Sequence, residues 1–244
     1  MRLRLGPTPP PGEGAVREAI LLDLGILDYQ AAWGLQRRLV ELRAGSAIPD
    51  VFLILEHPHV YTMGRKGDPA TIPRVGVPIY HVERGGYATY HGPGQIVGYP
   101  IIHLRERGMD IKQYIHTLEE ALMDLTRSFG LTPSRVDGHP GVWVRGRKVA
   151  SIGVAVHRWV TYHGFAYNVN TDLTFFQRIS PCGLDPTMIT SLERELGRPV
   201  DFGEAKRAAV EALENHFDNR FSREVPPAIA HILPTHIPPS AANL

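Results

Sequence analysis

Cysteine is almost absent. Cys182 is the only thiol in 244 residues, which excludes an intrachain disulfide and any zinc or iron–sulfur site built from several thiolates, and which fits a reducing compartment. Long apolar runs are missing too, since no stretch approaches the about 18 residues that a membrane-crossing helix needs. Neither sign of charge prevails, with 26 Lys and Arg against 25 Asp and Glu and a formal net charge of +1. Electrostatics therefore selects neither nucleic acid nor an anionic membrane as partner. The first residues, MRLRLGPTPPPGEG, are basic but run into proline and glycine instead of the apolar stretch of a secretory signal. These absences lead us to expect a cytoplasmic protein whose partners are chosen by shape.

What is present is ordinary for a globular enzyme, with 43% apolar and 21% charged residues and a length that suits one well-buried α/β domain. We expect a flexible arm over 1–14, a catalytic domain over 15–225 and a proline-rich tail over 226–244. The apolar run 19–24 reads as a strand. Asp28 then caps a helix that carries Tyr29, Ala32, Leu35, Leu39 and Leu42 at helical spacing. A short buried strand over 51–55 and an extended stretch over 79–82 follow. A second helix starts at Asp110, with Ile111, Ile115, Leu118, Leu122, Leu125 and Phe129 on one stripe and Gly130 to end it. Residues 142–144, 148–156 and 161–169 read as a meander of strands, with a basic turn at Arg145-Gly146-Arg147. Asp201 and Glu204 form a capping box for a last helix that turns Val210, Leu213 and Phe217 inward. Strands in runs with helices between the runs predict an α+β sandwich within the α/β class.

Chemistry concentrates in three places. The segment 84–95 is so rich in glycine that propensity argues against a helix or a central strand. Main-chain N–H groups there can approach a ligand closely, with Arg84 and His91 as further donors to a carbonyl or carboxylate. A pair of tight surface turns is the other reading. The order of a phosphate-binding loop is absent, so no nucleotide site is indicated. Cys182 sits between Pro181 and Gly183, which leaves little bulk around the sulfur. A thiol of ordinary pKa, about 8.5, needs a cation or base beside it to act as a nucleophile. Lys148 can supply that, because strict alternation puts it on one face with Ile152, Val154 and Val156, toward an apolar interior. His91, His157 and His163 are rival partners for the thiol. His57 and His59 resemble a metal pair without a third ligand, and no metal is expected.

Together these stretches closely resemble the octanoyltransferases of lipoate biosynthesis, the lipoyl(octanoyl) transferase family. The resemblance rests on Arg84-Gly-Gly86, on Thr89-Tyr-His-Gly-Pro-Gly-Gln95 with Tyr99-Pro100, on Lys148-Val-Ala-Ser-Ile-Gly153, on His163-Gly-Phe-Ala166 with Asn168-Val169, and on Pro181-Cys-Gly183. The motifs occur in the family's order and span residues 18 to 215. Tyr87 departs from the pattern, standing where members carry an acidic or other small polar residue.

The resemblance implies a single domain similar to the catalytic domains of lipoate and biotin protein ligases, with no cofactor. It implies that Cys182 is the acyl-thioester nucleophile and Lys148 the group that lowers its pKa. Substrate would be bound by three stretches: Arg84, Gly85, Gly86, Tyr87, Ala88, Thr89, Tyr90 and His91; then Ser151, Ile152 and Gly153; then Gly164, Phe165 and Ala166. The reaction implied is octanoyl transfer from octanoyl-acyl carrier protein to a lysine of lipoyl domains, those of 2-oxoacid dehydrogenase E2 subunits and of the glycine cleavage H protein. An ATP-dependent lipoate or biotin ligase, and a non-enzymatic acyl or carrier-protein binding module, are the alternatives.

Overall fold

The structure, a computed structural model, describes residues 16–68, 76–179 and 184–234. In chain order the elements are β1 (Arg17–Ile26), α1 (Tyr29–Ala44), β2 (Asp50–Glu56), β3 (Val60–Met63), β4 (Ile79–His81), β5 (Ala88–His91), β6 (Gln95–Ile101) and α2 (Ile111–Ser128). They continue with β7 (Pro133–Ser134), β8 (Gly141–Val144), β9 (Arg147–His157), β10 (Val160–Asn168), α3 (Leu192–Leu196), α4 (Phe202–His216), β11 (Asn219–Ser222) and α5 (Pro227–Ala230). Eight strands form one sheet in the order β11-β1-β2-β6-β10-β9-β8-β7, and β4-β3-β5 form a second, smaller one. This is the mixed α/β architecture that the sequence predicts.

Period-two alternation sorts the side chains of the large sheet. Ala19, Leu21, Phe52, Ile54 and Ile96 join a core with α2 and α4 on one face, while Ile20, Leu22, Leu53, Leu55, Val97 and Tyr99 pack with α1 and Ile229 of α5 on the other. The helix caps are as read: Asp28, Asp110 and Asp201 each accept a backbone N–H in the first turn of α1, α2 and α4. In the turn between β8 and β9, Arg145 and Gly146 both have positive φ (49° and 74°), the pairing that a two-residue hairpin with right-handed twist requires.

Four expectations change. Ile111 leaves the apolar stripe of α2 and is 48% exposed, the buried residues of that helix beginning at Tyr114. Gln95–Ile101, to which the sequence reading assigns no element, is a buried central strand. The ring of Phe165, paired with Gly98, covers that glycine where a Cβ would lie 2.2 Å from the ring. Packing continues beyond 225, since Pro227–Ala230 is helical and Ile229 is wholly buried.

The fourth correction concerns Lys148. In the β8–β9 ladder Val142 pairs with Ala150 but Trp143 pairs with Lys148, so Val149 is a bulge. Beyond it Lys148 falls on the face of Trp143, Ser151 and Gly153. Strict alternation would have given it the face of Ile152, Val154 and Val156, which pack against the α2–α4 core.

Candidate active site

A cleft opens on the α1 side of the large sheet, between the glycine-rich segment and the β9–β10 hairpin. Its floor is a patch of the β9–β10 hairpin in which Ser151 pairs with Ala166, Ile152 with Phe165 and Gly153 with Gly164. The antiparallel register thus brings together two motifs that are ten or more residues apart. Gly164 has no substitute here, because a Cβ would lie 2.1 Å from the Gly98 carbonyl oxygen.

The glycine-rich segment forms the opposite wall. The Gly85 N–H bonds the Val154 carbonyl of β9 (3.0 Å). Arg84 is buried, and its guanidinium holds the loop: Nη1 donates to the carbonyls of Gly85 and Tyr87 (3.0 and 2.9 Å), and Nη2 donates to the carbonyl and Oγ1 of Thr62 (2.8 and 2.9 Å). Its two terminal nitrogens therefore shape the wall, where the sequence suggested donors for a ligand. Alternation along β5 sends Thr89 and His91 to the cleft and Ala88 and Tyr90 into a separate cluster with Tyr61 and Phe176. Tyr87 is 41% exposed. The run 84–91 is thus split between two faces of a strand instead of lining the cleft continuously.

Three lining residues, Tyr29, Tyr99 and His163, were not among the expected substrate contacts. Tyr29 begins α1 and stacks on His91 at 6.0 Å and on Tyr80 at 5.3 Å. Tyr99, in the sequence a part of the Tyr99-Pro100 motif without an assigned role, donates its hydroxyl to His57 Nε2 (2.7 Å). His57 Nδ1 in turn donates to the Leu27 carbonyl (2.6 Å), so both ring nitrogens are committed and the suspected metal pair dissolves. Burial pushes His57 down to about 4 and His163 down to about 3, the latter with help from the nearby Arg84, so both rings are neutral at pH 7. His91 is also held below its ordinary value by burial. His157 is exposed and faces Glu41 at 3.3 Å, outside the cleft.

Lys148 is buried, 2% exposed, with Nζ 5.5 Å from the centre of the Trp143 ring. Gly141 makes room for its stem, since a Cβ there would lie 2.7 Å from Lys148 Cε. Cys182, with Ser180, Pro181 and Gly183, lies outside the described residues. The chain on either side is described: Ile179 and Ile189 are both buried in the cluster of Tyr61 and Tyr90. Ile189 forms a parallel bridge with Lys148, and the Thr190 N–H donates to the Lys148 carbonyl (3.0 Å). A polar chain links this strand to the glycine wall. Asn168 Nδ2 donates to the Thr190 carbonyl (2.9 Å), Gln95 Nε2 donates to Asn168 Oδ1 (2.9 Å), and His91 Nδ1 bonds Gln95 Oε1 (2.8 Å).

Comparison with known proteins gives one answer. Residues 28–214 match the lipoyl protein ligase A/B catalytic domain. An octanoyltransferase of Syntrophobacter fumaroxidans is 42% identical over 225 residues, covering 89% of this chain and 99% of the relative. One of Pelobacter propionicus is 48% identical over 187 residues, covering 77% and 90%. Among solved structures, lipoate-protein ligase A bound with ATP superposes with a TM-score of 0.71 at 14% identity, covering 89% of this chain and 92% of its own. The bi-partite lipoate protein ligase of Thermoplasma acidophilum gives 0.69 at 15%, covering 89% and 91%. At such identities these two establish the fold, while the sequence relatives reach further: the chain belongs to the lipoyl protein ligase A/B catalytic-domain family, and within it to the octanoyltransferases, which are acyltransferases.

Proposed function

We propose that the chain moves an octanoyl group from acyl carrier protein to a lipoyl-domain lysine through a thioester on Cys182, with Lys148 as the proton carrier. The observation that carries this reading is the Val149 bulge. It turns a buried lysine to the same sheet face as the cleft, and the segment that it bridges at Ile189 follows Cys182 by seven residues in the chain. Bulges beside active sites commonly re-aim a side chain in this way.

The proton balance closes with these two groups. Lys148 takes the thiol proton, and the thiolate attacks the thioester carbonyl of the donor. Collapse of the tetrahedral adduct breaks the bond to the carrier sulfur, which leaves as a thiol with the proton from Lys148. The acceptor amine then attacks the acyl-cysteine. Its proton passes to Lys148 as the carbon–sulfur bond breaks, giving an amide and the Cys182 thiolate. Conversion of a thioester to an amide runs downhill, so no ATP is consumed. The cleft supports an alkyl substrate, since Ile152, Gly153, Gly164, Phe165 and Ala166 make up its floor with Ser151, and each methylene removed from water contributes about 0.8 kcal/mol.

Intact-protein mass spectrometry after mixing with octanoyl-acyl carrier protein, without ATP, tests this. A single octanoyl adduct is expected on the native chain and none on Cys182→Ala. Full turnover by Cys182→Ala, or turnover that requires ATP, would overturn the reading.

A further inference from the structure

His163 stands out on backbone grounds. Along β10, Phe165 and Tyr167 face the α2–α4 core, whereas Gly164 and Ala166 face the cleft. Alternation would place His163 with Phe165. Its φ of 55° is the left-handed conformation, rare for a residue with a Cβ and more so inside a strand, and its ring instead lines the cleft. Such strain persists only where the surroundings impose it. Here Gln36 of α1, fully buried, accepts the His163 N–H through Oε1 (2.8 Å).

The ring so placed lies between two spaces. On one side is the cleft. On the other, Nε2 lies 3.6 Å from Glu83 Oε2, Trp33 Nε1 donates to the same carboxylate oxygen (3.2 Å), and the ring of Tyr162 is 4.9 Å away. Glu83 and Tyr162 line a second groove, with Arg37, Val40, Glu41 and His157, that encloses about 490 Å³ out to its mouth.

We infer that His163, backed by Glu83, is the partition between these spaces and the stop that sets the length of the acyl chain; this rests on the transferase reading above. His163 pairs with Val154, six residues from Lys148, and one of those residues is taken by the bulge. Five strand steps span about 17 Å. An extended octanoyl chain, seven bonds of about 1.5 Å in zigzag, is about 9 Å long. The difference of about 8 Å is the space left for the reacting thioester at the Lys148 end, so a longer chain meets the ring. A rigid stop is what discrimination by length requires, since a soft apolar pocket separates neighbouring homologues only a few-fold.

The test is the transfer of octanoyl, decanoyl and dodecanoyl groups from acyl carrier protein to a lipoyl domain, by the native chain, His163→Gly and His163→Asn, with folding followed by thermal melts. Glycine takes positive φ without strain and asparagine tolerates it, so one variant keeps the backbone if the other does not. The native chain should prefer octanoyl. In the variants the dodecanoyl-to-octanoyl ratio of kcat/KM should rise at least tenfold, because each methylene newly admitted is worth about fourfold. An unchanged ratio in a folded variant that still transfers octanoyl would overturn the partition. Absence of transfer by the native chain with every donor would instead overturn the transferase reading beneath it.

Discussion

Adding one methyl group to the floor of the cleft should shorten the chain that it accepts. In Gly153→Ala the new Cβ would lie 3.0 Å from Arg84 Cδ and 3.5 Å from the Gly85 carbonyl oxygen. Arg84 cannot swing aside freely, because Nη1 and Nη2 hold Gly85, Tyr87 and Thr62. The strand and the loop must therefore separate by a few tenths of an ångström, an overpacking cost of about 1 kcal/mol, which lowers Tm by about 2–4 °C in a chain of this size. The methyl also takes the place of one or two substrate methylenes. At about 0.8 kcal/mol each, octanoyl should lose about 4- to 15-fold in kcat/KM relative to hexanoyl, whose chain ends short of the crowded part. Steady-state transfer with both donors reads the ratio. Equal losses for both donors would refute the argument that the Ser151–Gly153 floor carries the chain. Gly164→Ala is the contrast: its Cβ would meet the Gly98 carbonyl oxygen at 2.1 Å, which the backbone of β6 cannot yield, so that variant should fail to fold.

Three further outcomes follow from the buried polar groups. His57, His91 and His163 all have lowered pKa values in the fold, so the unfolded chain binds their protons first. Stability should be full above about pH 6.5 and fall as pH drops toward 4 and 3, with His57 alone worth roughly 3 kcal/mol; a Tm that is flat between pH 7 and 5 would contradict this. Asp50 accepts from Arg43 Nε and Arg107 Nε, both at 2.6 Å. Burial alone would raise its pKa, but the two arginines bring it below the ordinary carboxylate value. Asp50→Ala should cost about 3–5 kcal/mol at pH 7 by removing the carboxylate that Arg107 and Arg43 share, Arg43 keeping only Glu106, and its deficit in thermal melts should shrink only as pH falls below the ordinary carboxylate value, where the unfolded chain protonates Asp50 before the fold does. Tyr99→Phe removes the donor to His57 Nε2 and should cost about 1–3 kcal/mol in denaturant unfolding, with little change in cleft volume.

The legible part of this protein is what local chemistry determines. Asp28, Asp110 and Asp201 could be read as caps because an aspartate that accepts an N–H of the first helical turn is a short-range device, and the strands of the meander could be read from their alternation. The central strand Gln95–Ile101 could not, because what offsets the cost of Gly98 is the ring of Phe165, 67 residues later in the sequence. Likewise Arg84 carries no sign in its own neighbourhood that Thr62 would accept from Nη2. Tyr29 is visible as a buried position of a helix, yet only the fold brings it against His91 of the glycine wall.

Lys148 and His163 both leave the face that strict alternation assigns to their positions, His163 to line the cleft and Lys148 to stand on the same sheet face as its floor, and this follows from what a strand can do. A regular strand gives a cleft only every second residue, here Ser151 with Gly153 and Gly164 with Ala166. Those positions must stay small to leave room for a chain, so none of them can also carry a base or a stop. A functional side chain has to be brought to that face from a position of the opposite parity, by an inserted residue or by a left-handed one. The Val149 bulge does the first for Lys148 at one end of the floor, and φ of 55° does the second for His163 at the other. Departures from period two at the two ends of a run of small residues are therefore the feature to look for in β-floored clefts. Deleting Val149 should accordingly return Lys148 to the α2–α4 face, with loss of transfer even where the chain still folds.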